Sequence, residues 1–154
     1  MVQPAPFPVP SRTASEVINS TLTTATSYAF ADKILITISC SAVDNKLAHW
    51  VHVPLASSTN LMESGFMSSA PADSTDTSLL PRGDLTATTV LGGTKREDEV
   101  IGQTLATIIA SAILTKRASE ERLLVLGLGL QGLGEDGLGR TDFEQVIGLV
   151  LGVI

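Results

Sequence analysis

Apolar and polar residues alternate along much of the first half of the chain. From Ser20 to Ala31 the alternation places Leu22, Tyr28 and Phe30 on one side, with Thr24 and Thr26 between them. Ala31-Asp32-Lys33 reads as a turn. The β-branched run Ile34 to Cys40 then suits a buried strand. Asp44-Asn45 breaks that run, and Leu47 to Leu55 resumes it with Trp50, Val51 and Val53. Short turns between three such segments predict an antiparallel meander. A fourth strand is expected at Leu85 to Leu91, and another from Arg122 to about Leu130.

The period changes twice. Ile101, Leu105, Ile108, Ile109, Ala112 and Ile113 keep the spacing of one buried helical face and predict a helix over about 95–117. Thr94 and Glu97 have capping-box spacing, Glu97, Asp98 and Glu99 suit the positive end of the helix dipole, and Lys116 and Arg117 suit its negative end. Thr141 and Glu144 repeat the capping pattern, and Phe143, Val146, Ile147, Val150, Leu151 and Ile154 predict a second helix over 141–154. Leu149 and Val153 fall on its other side, and Gly148 and Gly152 would let another backbone come close. Two roles stay open for it: packing on the chain's own sheet, or contact with a partner. It reaches Ile154 without a capping residue, so a continuation beyond that point also stays open. The pattern predicts an α+β fold, a mainly antiparallel sheet or sandwich of five to six strands with two helices.

Two stretches carry no period. Residues 1–16, with Pro4, Pro6, Pro8 and Pro10, are expected to form a flexible tail. Residues 56–82 are rich in Ser and Thr, with Pro71 and Pro81, and are expected to be a disordered insertion in a single domain spanning 17–154.

Composition narrows the function. The chain has 154 residues, 44% of them hydrophobic and 17% charged, with a net charge of −6 and a mean hydropathy of +0.30. About 25% charged is usual for a soluble domain, so charge is scarce here. The acidic balance disfavours nucleic-acid binding, which needs a basic patch. A single cysteine, Cys40, allows no disulfide within the chain. The N-terminus lacks the basic and apolar regions of a secretory signal, so the Asn19-Ser20-Thr21 sequon carries no weight. The longest apolar stretch, Val100 to Leu114, is too short and too polar to span a membrane. A cytoplasmic or nuclear location is expected. Surplus apolar surface on a small domain suggests burial against a partner.

Candidate chemistry centres on one motif. Leu123 to Gly132 reads as a strand entering G-x-G-x-x-G through Gly127, Gly129 and Gly132, with an overlapping frame at Gly132, Gly134 and Gly137. Such glycines let a backbone approach a pyrophosphate at a helix N-terminus. Here the turn runs on through Glu135, Asp136 and Gly139, and too few residues follow for the second parallel strand and its acidic residue. Gly alternating with Leu is better explained by a strand with one flat side. His49 and His52, three apart on a strand, face opposite ways and make no metal pair. Cys40 reads as an inert buried thiol. Gly92-Gly93-Thr94-Lys95 lacks the phosphate-loop spacing, and no serine sits in a nucleophile elbow. No catalytic, cofactor-binding or metal-binding residue is assigned, and no enzyme is expected.

Four segments carry a resemblance: Ser27-Tyr28-Ala29-Phe30-Ala31-Asp32-Lys33-Ile34-Leu35-Ile36, Thr86-Ala87-Thr88-Thr89-Val90-Leu91-Gly92, Gly102-Gln103-Thr104-Leu105-Ala106 and Thr141-Asp142-Phe143-Glu144. In order and spacing they resemble the small proteasome assembly chaperones, and among them the proteasome assembly chaperone 4 family in the form fungi carry. The resemblance covers about 20–55 and 84–150. It implies a non-catalytic scaffold that pairs with the related proteasome assembly chaperone 3. Such a pair binds α-type subunits of the core particle, the fifth among them, early in α-ring assembly. The hydrophobic-Tyr-X tail of another chaperone pair is missing, since the chain ends Gly152-Val153-Ile154. The resemblance supplies no residue motif for the α-subunit contact, so the partner-binding residues stay unassigned. The sibling chaperone 3, a homodimeric adaptor of the same fold, and a dinucleotide-binding enzyme using Gly127–Gly137 stand as alternatives.

Overall fold

The computed structural model describes residues 9–56, 82–131 and 138–154. The Pro-rich start, most of the 56–82 insertion and the loop holding Gly132, Gly134 and Gly137 lie outside the described residues. Six strands, β1 (Ser11–Ile18), β2 (Thr21–Ala29), β3 (Lys33–Cys40), β4 (His49–Pro54), β5 (Thr88–Leu91) and β6 (Leu123–Gly129), form one sheet in the order β1-β2-β3-β6-β4-β5. Helices α1 (Arg96–Lys116) and α2 (Arg140–Leu151) touch each other and pack on the sheet, α1 over β4, β5 and β6 and α2 over β1 and β2. The α+β class and the positions of both helices match the sequence pattern. The β structure is a single sheet with helices on one face, rather than a sandwich.

Three details differ from the sequence reading. The meander is interrupted: β6 lies between β3 and β4, parallel to the first and antiparallel to the second. The physical reason is its composition. Leu123 to Gly129 is apolar throughout, and such a run is most stable in the middle of a sheet, where both faces are covered. The second difference is β1, which occupies residues 11–16 of the expected tail. Its pattern was hard to read because it is an edge strand, with only Ile18 fully buried and Ala14 partly so. The third concerns the helix starts. Lys95 and Gly139 occupy the N-cap positions and neither makes a side-chain cap, so neither capping box forms. Gly92 and Gly93, both with positive φ, already turn the chain into α1, and an Arg140–Glu144 ion pair spans the first turn of α2 at 3.1 Å.

The helix side of the sheet takes alternate residues of every central strand. Ile34, Ile36, Ile38 and Cys40 of β3, Leu124, Leu126 and Leu128 of β6, and Val51 and Val53 of β4 are buried there beneath Leu105, Ile109, Ile113, Val146 and Val150. The second helix therefore spends its apolar face on this core. Leu149 and Val153, placed by the sequence pattern on the other side of the helix, are buried too. Of the alternatives for this helix, the structure supports packing on the chain's own sheet.

One ion pair closes the base of the sheet. Glu120 accepts Nε and Nη2 of Arg122 at 2.7 Å each, and Arg122 Nη1 donates to the Phe30 carbonyl at 2.8 Å. The α1–β6 connection is thereby tied to the end of β2. With its side chain only 8% exposed, Glu120 is held at a pKa of about 2, chiefly by the hydrogen bonds from Arg122. A carboxylate lowered in the folded state stabilises it above the ordinary value of 4.5, and that contribution is lost as pH falls from 4.5 towards 2.

The β1–β2 hairpin turns on Asn19 and Ser20, at φ 48° and 63°. A two-residue turn with both φ positive favours Asn-Gly, and serine is strained in the second position. Ser20→Gly is expected to raise stability by about 0.5–1 kcal/mol in urea denaturation. Ser20→Val should lower it, and the reverse ranking would contradict this turn.

Candidate functional site: an uncharged sheet face

The residues singled out as candidate chemistry are scattered. Gly127 and Gly129 lie within β6, Gly127 paired with both β3 and β4 and Gly129 with β3, not in a phosphate loop. They keep one side of the strand flat. A Cβ on Gly127 would meet the Trp50 ring at 3.0 Å and Leu47 at 3.2 Å, and one on Gly129 would collide with the Lys46 carbonyl. Cys40 is buried, with Sγ 3.5 Å from the Gln131 carbonyl oxygen. His49 and His52 face opposite sides of β4, as their spacing predicts. Among the described residues no group of three or more His, Cys, Asp or Glu is arranged to hold a metal ion, and no helix is long and apolar enough to cross a membrane.

His49 is a core residue. Its ring packs against Gly102 of α1, where any Cβ would collide with it, and against Gly93. Nε2 lies 3.2 Å from Thr89 Oγ1, which also accepts Gln103 Nε2 at 3.3 Å, and the same Gln103 amide donates to Glu99 at 3.3 Å. This network joins β4, β5 and α1. Burial lowers the His49 pKa, opposed by the nearby charges of Asp98 and Glu99.

Among the described residues, no helix lies on the far side of the sheet. Register fixes which residues share it. One row runs Ser11, Tyr28, Leu35, Val125, His52, Thr88; the next runs Thr13, Thr26, Thr37, Gly127, Trp50, Leu91; a third runs Ser15, Thr24, Ser39, Gly129. The chain holds 10 basic and 16 acidic residues, yet these three rows contain none of them. The charged strand residue on this side is Lys33, at the start of β3, where it pairs with Asp32 at 3.4 Å.

Two features suit this face to burial. Hydroxyls on its polar half pair with each other across strands, Thr13 with Thr26 at 3.2 Å and Ser15 with Thr24 at 2.9 Å. Ser39 donates to Asn45 Oδ1 at 3.4 Å. A hydroxyl already bonded within the protein loses less on dehydration than one bonded to water. The other half is largely apolar: half-buried Leu35, Val125 and Trp50, with Leu91 64% exposed beside them and His52 and Thr88 completing the rows. Interface cores are depleted of charge and enriched in aromatic residues, and this face has both properties. Six strands about 4.8 Å apart span roughly 24 Å, wide enough for a standard interface of about 800 Å² per partner. Sequence alone did not reveal the face, because its members come from six segments and only the register aligns them. The missing signal was the absence of charge at alternate strand positions.

Comparison with known proteins adds little. No protein-family model matches the chain, and no curated protein does. Among solved structures, a chain from a novel chaperone complex for yeast 20S proteasome assembly is similar. It shares 12% identity over 91% of this chain and 95% of that one, with a TM-score of 0.49, too low to equate the two folds.

The buried histidine gives a test of the packing behind this face. A group whose folded pKa is lowered by burial resists protonation only while the protein stays folded. His49 therefore withdraws stability as pH falls below the ordinary value of 6.5. The urea midpoint is expected to drop between pH 7 and pH 5, and His49→Gln should flatten that slope. An unchanged slope in the variant would contradict a neutral, buried His49.

Proposed function

We propose that this chain is a non-catalytic assembly chaperone of the proteasome-assembly type. It pairs through its uncharged sheet face with a related chain and, as a pair, holds α-type subunits during early α-ring formation. The single observation carrying the pairing is the face itself: three residue rows across the sheet without a charge, in a chain with 26 charged residues (10 basic and 16 acidic). Left in water, such a face is an association hazard; covered by a matching sheet, it becomes the centre of a dimer.

The specific family rests on the sequence resemblance to proteasome assembly chaperone 4. Its four segments fall at structurally consequential places. Ser27 to Ile36 spans the β2–β3 turn, and Thr86 to Gly92 contains edge strand β5. Gly102 to Ala106 includes the helix position that accommodates His49, while Thr141 to Glu144 forms the first turn of α2. Chaperone 3 is the proposed partner, the fifth α-type subunit the proposed client, and cytoplasm or nucleus the proposed location. A sibling identity or a homodimer would use the same face. No cofactor is proposed, since Gly127 and Gly129 serve the sheet.

Co-expression with the related chaperone and α-type subunits, followed by native mass spectrometry, tests this reading. The expected product is a one-to-one chaperone pair that retains an α subunit. Thr37→Asp, in the middle row of the face, should abolish the pair while leaving the thermal midpoint within a few degrees. A monomer indifferent to both partners, or a pair untouched by Thr37→Asp, would overturn the proposal.

A further inference from the structure

The two edges of the sheet are protected differently. Edge strand β1 carries Arg12 and Glu16, and α2 packs against it, with Arg12 Nη1 3.5 Å from the Ile154 carbonyl oxygen. Charges and a covering helix are usual means of keeping an edge from pairing with another chain. At the opposite edge, β5 carries no charge; among the described residues only α1 packs on it, and the strand is four residues long with a register shift opposite Trp50 and Val51. From Leu85 to Thr94 the sequence contains no charged residue and no proline, and Val90 and Leu91 are 56% and 64% exposed.

Beside this edge lies a groove. A shallow, open depression of about 340 Å³ lies between Leu85, Thr86 and Ala87, which lead into β5, and Gln103, Thr104 and Thr107 on α1. An open strand edge flanked by a helix is the arrangement in which an extended peptide adds as a further strand, with main-chain bonds giving affinity and side-chain pockets giving selectivity. The electrostatics select the peptide. Gln103, in the groove wall, donates to Glu99 one turn earlier on α1. Asp98 and Glu99 face the β4–β5 side closely enough to act on His49. The residues lining the groove are uncharged; Asp98 and Glu99 lie near one end, with Lys95 and Arg96 preceding them, and the Arg82–Asp84 pair lies near the other, beside Ser111.

We propose that the β5 edge and the α1 groove bind an extended segment of a partner protein, apolar or hydroxylic in its middle and carrying a lysine or arginine for the Asp98–Glu99 end. This site adjoins the open sheet face, sharing Thr88 and Leu91 with it, but its groove lies on the helix side, so Thr104→Arg tests it apart from the pairing proposed above. The segment would continue the sheet as a seventh strand, placing one side chain in the groove.

The test uses the full chain and a seven-residue peptide of alternating valine and threonine with lysine at both ends. Binding is followed by nitrogen–proton correlation spectra. Shifts are expected at Thr86–Leu91 and Gln103–Thr107, with a Kd below about 1 mM. Methylating alternate peptide nitrogens, or replacing the lysines with glutamates, should weaken binding at least tenfold. Val90→Lys and Thr104→Arg, one on each wall, should do the same while leaving the thermal midpoint unchanged. Absence of shifts, equal binding of the N-methylated peptide, or indifference to both variants would overturn the proposal. Concentration-dependent self-association abolished by Val90→Lys would overturn it too, because a second copy would then be the occupant.

Discussion

The architecture depends on how β6 is buried. Seven apolar residues with no charge and no hydroxyl must be covered on two sides, and the sheet solves this asymmetrically. Leu124, Leu126 and Leu128 lie under the helices. On the other side Gly127 and Gly129 remove the side chains, so that Trp50, Leu47 and the Lys46 carbonyl can lie directly against the strand. The helix side is completed within the chain. Among the described residues the open side is only partly covered, by a loop and an aromatic ring, and its rows hold apolar residues, His52 and hydroxyls, of which Thr13–Thr26 and Ser15–Thr24 bond across strands. One strand thus sets both the core of the monomer and the character of the surface it offers.

That division relocates the apolar surplus of the composition. Both helices are rich in Ile, Leu, Val and Ala, but their buried residues belong to the chain's own core, including Leu149 and Val153. What is unusual is the placement of charge. The helices and connecting turns carry most of it, in pairs such as Glu120–Arg122 and Arg140–Glu144, while the open face is left without. A partner that matches this face would need a sheet of similar composition, since a charged surface placed there would be desolvated without compensation.

Much of this was legible in the sequence, and the reasons for the rest are physical. Helices were readable because Ile101 to Ile113 and Phe143 to Ile154 hold a strong period. So was the flat role of Gly127 and Gly129, because glycine alternating with leucine has few other uses within a strand. The opposite orientations of His49 and His52 followed from the strand period alone. Strand order was not readable: nothing local distinguishes a β3–β4 hairpin from two strands that admit β6 between them, and long-range burial decided it. Strand β1 escaped notice because only one of its sides touches the core, through Ala14 and Ile18. Capping boxes were over-read, since Gly92-Gly93 and Gly139 shape the helix entries through the backbone instead.

The central claim is that the uncharged sheet face is covered in the functional assembly. The chain has one tryptophan, Trp50, and it lies in the middle row of that face. Acrylamide quenching of its fluorescence therefore reports directly on whether the face is covered. With the partner labelled so that it contributes no tryptophan signal, the account predicts a blue-shifted emission and a quenching constant several-fold lower in the pair than in the isolated chain. Equal quenching in the two states would contradict it.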